Sequence, residues 1–124
     1  MWDVTLSIPV SLEFVRLARL VASGLGAQLN FTLDDIEDVR MAVDELCSAL
    51  IDATSDPRGT LTVQFRLDGG QLHMEAYVPA IAGQRFAMDE ISTHILRAAV
   101  DRHEVEQTNG SLVARMTKQC LTTD

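Results

Sequence analysis

The chain is poor in the features that would bind nucleic acid, cross a membrane or staple a fold. Of its 124 residues only 10 are Lys or Arg, against 18 Asp or Glu, for a net charge of −8 and a pI near 4.7. With no excess of positive charge to neutralise phosphates, a nucleic-acid binder is disfavoured. No apolar run approaches the roughly eighteen residues of a membrane span. Met1, Trp2 and Asp3 lead straight into an alternating segment with no basic leader. No signal peptide is therefore expected, and a cytoplasmic location is. Cysteine is scarce: Cys47 and Cys120 stand far apart, neither with a second Cys or a His at ligand spacing. That argues against a structural zinc site and points to reduced thiols in the cytoplasm rather than a disulfide. Also missing are HExxH, a GxSxG around Ser48, GxxxxGK[ST] and GxGxxG, so neither familiar phosphate-cradling loop is present. His73, His94 and His103 are isolated from one another and read as surface or strand histidines rather than ligands.

What is present belongs to a small packed protein. The hydrophobic fraction is 47% and the mean hydropathy +0.10, which fits a globule and not a disordered chain. At this length one domain spanning 1–124 is expected, burying roughly two-thirds of its extended surface. No internal repeat, linker or low-complexity segment divides it.

Polar and apolar residues alternate over 3–8, the period of a half-buried strand, which Pro9 ends. Ser11 is placed to cap a helix over about 12–28, with Phe14, Leu17, Ala18, Val21 and Leu25 as its inward stripe and Glu13, Arg16 and Arg19 off it. Thr32 and Asp35 form an acidic version of a capping box for a second helix, reaching to about Ala53. Asp34, Asp35, Glu37 and Asp38 crowd its positive end and read as a solvated helix start. Ile36, Val39, Val43, Leu46 and Leu50 make its buried stripe. After the turn cluster at 55–59 come alternating strands at 60–66 and 72–78, joined by Asp68-Gly69-Gly70. Segment 80–88 is irregular. A third helix follows at about 89–101 with Ile91, Ile95 and Ala98 or Ala99 inward. A last strand at 111–118 follows the turn signal Asn109-Gly110, with a short strand at 104–107 as an option. The order β-α-α-β-β-α-β predicts an α+β two-layer sandwich.

Glu45 is the first candidate for chemistry. A carboxylate beside a buried stripe suits a general base; the plainer alternative is a solvated helix glutamate next to Asp44. Cys47, on the side of Val43 or Leu50, reads as a small buried thiol rather than a nucleophile.

Segment 40–51 reads Arg-Met-Ala-Val-Asp-Glu-Leu-Cys-Ser-Ala-Leu-Ile. It resembles the N-box helix of the GHKL (Bergerat-fold) ATPases, and among them the RsbW/SpoIIAB-type anti-sigma factors, which are serine protein kinases. Ala42, Val43, Asp44 and Glu45 match the first half of that motif, and the element order over 3–118 agrees, down to a last strand running from Gly110 to Lys118. The resemblance implies the two-layer GHKL sandwich with a mixed or antiparallel sheet. It also implies Glu45 as base for the attacking hydroxyl.

The departures fall on the nucleotide site. The N-box Asn, which in the family holds Mg²⁺, is Ala49 here, and alanine offers a hard cation no oxygen. The DxGxG box aligns with 79–83. Its adenine-binding Asp becomes Pro79, its first Gly becomes Ile81, and only Gly83 remains. The stretch before the third helix, 89–94, has no glycine to bare backbone N–H groups for phosphates. A base without a metal site does not support the usual phosphoryl transfer. The resemblance thus implies a degenerate, actinobacterial-looking member, with no cofactor expected. ATP and Mg²⁺ would enter only if the family chemistry survives, with Asp44 or Asp52 replacing the lost ligand.

The implied function is an anti-sigma factor that sequesters a sigma factor in a partner-switching, stress-response type of transcription regulation. A STAS-domain anti-anti-sigma factor would release it. Glu13, Arg16 and Arg19 are the partner-binding candidates, with a solvated helix face as the plainer alternative. The charge of −8 suits a basic partner surface. A homodimer paired through the first strand is expected. The alternative is an active ATP-dependent serine/threonine kinase acting on the STAS partner.

Overall fold

The computed structural model describes residues 1–54, 56–80, 86–108 and 110–120. Five strands, β1 (Val4–Pro9), β2 (Thr60–Asp68), β3 (Gln71–Pro79), β4 (Arg102–Thr108) and β5 (Ser111–Gln119), form one sheet in the order β1-β2-β3-β5-β4. Every pairing is antiparallel. The helices are α1 (Val15–Gln28), entered through a 3-10 turn at Leu12–Phe14, α2 (Leu33–Ala53) and α3 (Glu90–Ala99). The layered α+β sandwich is thus as expected, and the optional segment at 104–107 is a full strand. It is easily missed because β4 is an edge strand with no fully buried position, so its alternation is weak.

The period-2 pattern decides which sheet face the helices cover. Leu61, Val63 and Phe65 of β2, Leu72, Met74, Ala76 and Val78 of β3, and Leu112, Ala114 and Met116 of β5 are buried. They pack with Val39, Val43, Leu46 and Leu50 of α2 in one core cluster. The alternate residues, among them Arg66, His73, Glu75, Tyr77, Arg115 and Thr117, stand half-buried on the opposite face. Gly69 and Gly70, at φ of 56° and 83°, make the β2–β3 turn that a side chain would strain.

The capping box at the start of α2 forms as predicted. The Thr32 hydroxyl accepts from the Asp35 N–H at 3.0 Å and Asp35 Oδ2 accepts from the Thr32 N–H at 3.3 Å. The solvated reading of the acidic cluster is corrected for Asp35. It is 7% exposed, and Lys118 Nζ, itself buried, lies 3.7 Å from its Oδ1 and 3.3 Å from Asp38 Oδ2. Lys118 also donates to the Ala99 carbonyl at 2.8 Å, at the end of α3 where helical carbonyls lack partners. One ammonium therefore ties the start of α2, the end of α3 and the end of β5 together.

Two helix registers differ from expectation. Leu17 is 41% exposed, and α1 buries Val15, Ala18, Ala22 and Leu25 instead. The alanines allow α1 to lie close against its neighbours. So does Gly26, where an added Cβ would stand 3.1 Å from Phe31 Cδ2. In α3, Ile91 is 75% exposed while Leu96 and Ala99 face inward. Ser11 leads the 3-10 turn but makes no side-chain cap.

Candidate functional site

Inward residues of α2 lock the helix to the sheet, and this aims the neighbouring face at the segment before α3. Glu45, Ser48, Ala49 and Asp52 fall three, four and seven residues apart, on one side of the helix. With Phe86, Met88, Asp89 and Ser92 they line a cavity of about 330 Å³. Asp89 caps α3 by accepting from the Ser92 N–H at 2.7 Å. That holds Ser92 where its hydroxyl donates to Glu45 Oε2, also at 2.7 Å. Glu45 is therefore a half-buried cavity carboxylate with a partner, not a free surface glutamate.

The other candidates scatter. Ala49 lines the same cavity one helical turn from Glu45 and presents only a methyl there. Asp52 lies beside it, but Asp44 does not; its Oδ1 accepts from Arg19 Nη1 at 2.6 Å on the α1 side. The suggestion that Asp44 substitutes for the lost ligand is thus corrected, because it faces another helix. Pro79 closes β3, and its carbonyl accepts from Thr54 Oγ1 at 2.7 Å. Gly83 and Ile81 lie outside the described residues. Among the described residues no cluster of three His, Cys, Asp or Glu could hold a metal ion.

Of the partner candidates, Glu13 and Arg16 are exposed, flanked by Leu12 at 55%, Leu17 at 41% and Leu20 at 63% exposure. Arg19 differs: half-buried and bound to Asp44, it joins α1 to α2. Cys47 is wholly buried and its thiol pKa is pushed up to about 12, by burial and then by Asp44. It is an inert core thiol, as the spacing suggested. Ser92 and Asp89 were not singled out by sequence reasoning as site residues. The available signal was the Asp89-x-x-Ser92 cap spacing, which orients the serine towards α2.

A five-stranded antiparallel sheet with three helices on one face, and a helix-borne glutamate over a cavity beside the last helix, define a domain of the GHKL type. The crystal structure of the RsbU and RsbW domains of a Mycobacterium tuberculosis protein has this fold. It superposes with a TM-score of 0.72 at 18% identity, over 94% of this chain and 32% of that one. No protein-family model matches. Curated relatives do. Serine-protein kinase RsbW of Halalkalibacterium halodurans is 35% identical over 86 residues, 69% of this chain and 51% of the relative. The chain thus spans about half the length of that protein. Its counterparts in Bacillus velezensis and Bacillus subtilis are 27% and 23% identical, each over 93% of this chain and 84% of the relative. The chain belongs to the RsbW/SpoIIAB-type anti-sigma factor family.

No helix among the described residues is long and apolar enough to cross a membrane.

Proposed function

We propose that this chain is an anti-sigma factor of the partner-switching kind that captures a sigma factor in the cytoplasm and is released by a STAS-domain anti-anti-sigma factor, without transferring phosphate. The observation that carries the second half is Ala49: the cavity beside Glu45 holds a methyl one turn away instead of an oxygen ligand. Pro79 in place of an adenine-binding carboxylate supports the same reading. Glu45 is then a relic held by Ser92. The capture surface is the exposed start of the first helix, where Glu13 and Arg16 sit among Leu12, Leu17 and Leu20. Aliphatic side chains around an arginine suit an interface anchor.

The protein works as a homodimer in this proposal. Among the described residues β1 is an edge strand hydrogen-bonded only to β2, which leaves its outer edge for a second copy.

The second reading, an active serine kinase, is favoured by one observation: Glu45 lies in the cavity with its carboxylate intact. Calorimetric titration and thermal melting with MgATP separate the two. A nucleotide binder gains stability as ligand exceeds its Kd, by about 2.7 kcal/mol at a hundredfold excess. The proposal expects no heat and no shift at sub-millimolar MgATP. Saturable binding, with labelled phosphate reaching a STAS partner and lost in Glu45→Ala, would establish the kinase instead.

A further inference from the structure

A larger cavity, of about 770 Å³, opens over strand residues that face away from the helices and reaches round the β4 edge to Arg97 and Val100 at the end of α3; the Glu45 site does not use it. Its floor is a single row across four strands. Arg66 of β2 stands opposite His73 of β3, His73 opposite Thr117 of β5, and Thr117 opposite Arg102 of β4. Residues directly across from one another share a sheet face. The row therefore sets a guanidinium at each end, with an imidazole and a hydroxyl between. Arg97, in the last turn of α3, and Trp2 also line the cavity.

Two nitrogens of this row have no hydrogen-bond partner. His73 Nδ1 and Thr117 Oγ1 are hydrogen-bonded at 2.9 Å, but His73 Nε2 and Arg66 Nε are shielded from solvent and have no partner. The adjacent row behaves differently: Arg115 binds Glu75 at 2.8 Å, Glu104 at 3.3 Å and Glu106 at 2.6 Å. Those pairs absorb the acids nearest the cavity and hold the Arg115 pKa up. The remaining lining acid, Asp101, accepts from the Gln119 N–H at 2.7 Å. Among the described residues, Arg66, Arg97 and Arg102 have no ion-pair partner. In a chain of net charge −8, three unpaired arginines around two orphaned buried nitrogens form a local reversal of sign.

We propose that this cavity binds a small phosphate-bearing ligand, its phosphate oxygens held by Arg66, Arg97 and Arg102 and its organic part set against Trp2. A guanidinium presents a rigid fork of donors that matches phosphate two bonds at a time. One carboxylate has two oxygens and one charge, too few for three arginines, whereas a phosphate monoester brings three oxygens and nearly two charges. The volume falls within the usual range for small-molecule sites, roughly 300–1,000 Å³. Burial and then Arg66, with Arg102 adding to it, lower the His73 pKa against the opposing pull of Asp68. The cavity shares no lining residue with the Glu45 cavity, so this proposal stands or falls separately from the function proposed above.

Trp2 is the sole tryptophan, so its fluorescence reports on this cavity. The full chain is titrated with inorganic phosphate and with phenyl phosphate, ionic strength being held constant with KCl. The expected result is a saturable change with both, tighter for phenyl phosphate and absent with KCl alone. It should be weakened about tenfold or more in Arg66→Gln combined with Arg102→Gln. No saturable change with either phosphate, or the same curve in the double variant, would overturn the proposal. So would a dimeric mass together with a cavity that phosphate cannot reach, because a second copy would then be its occupant. If the double variant does not fold, NMR titration of the His73 imidazole in the parent chain decides. Bound phosphate must raise its pKa, and an unchanged titration rejects the site.

Discussion

The Ser92 hydroxyl donates to Glu45 Oε2 at 2.7 Å, across the gap between α3 and α2. This bond engages one of the two carboxylate oxygens and pins the start of α3 to α2. Ser92→Ala is expected to lower stability by about 1 kcal/mol, the usual net worth of such a bond. Urea denaturation measures it. Sigma-factor capture should be unchanged in both Ser92→Ala and Glu45→Ala, because neither side chain lies on the proposed capture surface.

Arg16 and Arg19 are expected to separate binding from folding. Arg16 is exposed, and Arg16→Ala should weaken sigma-factor capture by about 1–3 kcal/mol, mostly as faster dissociation in surface plasmon resonance. Arg19 is bound to Asp44, with the two side chains 33% and 47% exposed. Solvent screens such a pair, so Arg19→Ala should cost less than about 1 kcal/mol of stability. An equal loss of capture in both variants would argue that the surface extends across α1 to Asp44.

Lys118 carries the largest single-residue stability prediction. Lys118→Ala leaves Asp35, only 7% exposed, without its ammonium and the Ala99 carbonyl without its donor. Removing one partner of a buried pair costs about 3–5 kcal/mol. The companion variant Asp35→Asn keeps the cap acceptor and should cost less, which chemical denaturation of the two would reveal.

His73 sets a pH dependence of known sign. Its folded pKa lies below the ordinary 6.5, through burial first and then the arginines. Between the folded value and 6.5 the unfolded chain binds the extra proton, so stability rises with pH across that window and falls on acidification through it. His73→Gln should flatten that part of the stability–pH curve. A slope equal to the parent's would assign the effect to other groups.

Light scattering checks the homodimer. A monomer mass at tens of micromolar would remove the β1-edge pairing, whereas a dimer broken by a proline at Ser7 in β1 would support it.

Much of this fold is legible along the chain because its elements rest on local periodicity. The Thr32–Asp35 box, the α2 stripe and the Gly69-Gly70 turn are set by residues within a few positions of one another, and each lies where its spacing puts it. The Glu45 and Ala49 pairing on one helix face follows from the same arithmetic. What the chain order leaves open is which distant segments meet. Leu17 and Ile91 fit an apolar stripe by spacing yet point to solvent, because small residues such as Ala18 and Ala22 permit closer helix contact than leucines would. Asp35 looks like a solvated cap until β5 brings Lys118 to it from 83 residues away. Arg66, His73, Arg102 and Thr117 are unrelated polar positions in the sequence. Only the β2-β3-β5-β4 register aligns them into one row, since strand pairing is a long-range choice made by packing the whole sheet against its helices.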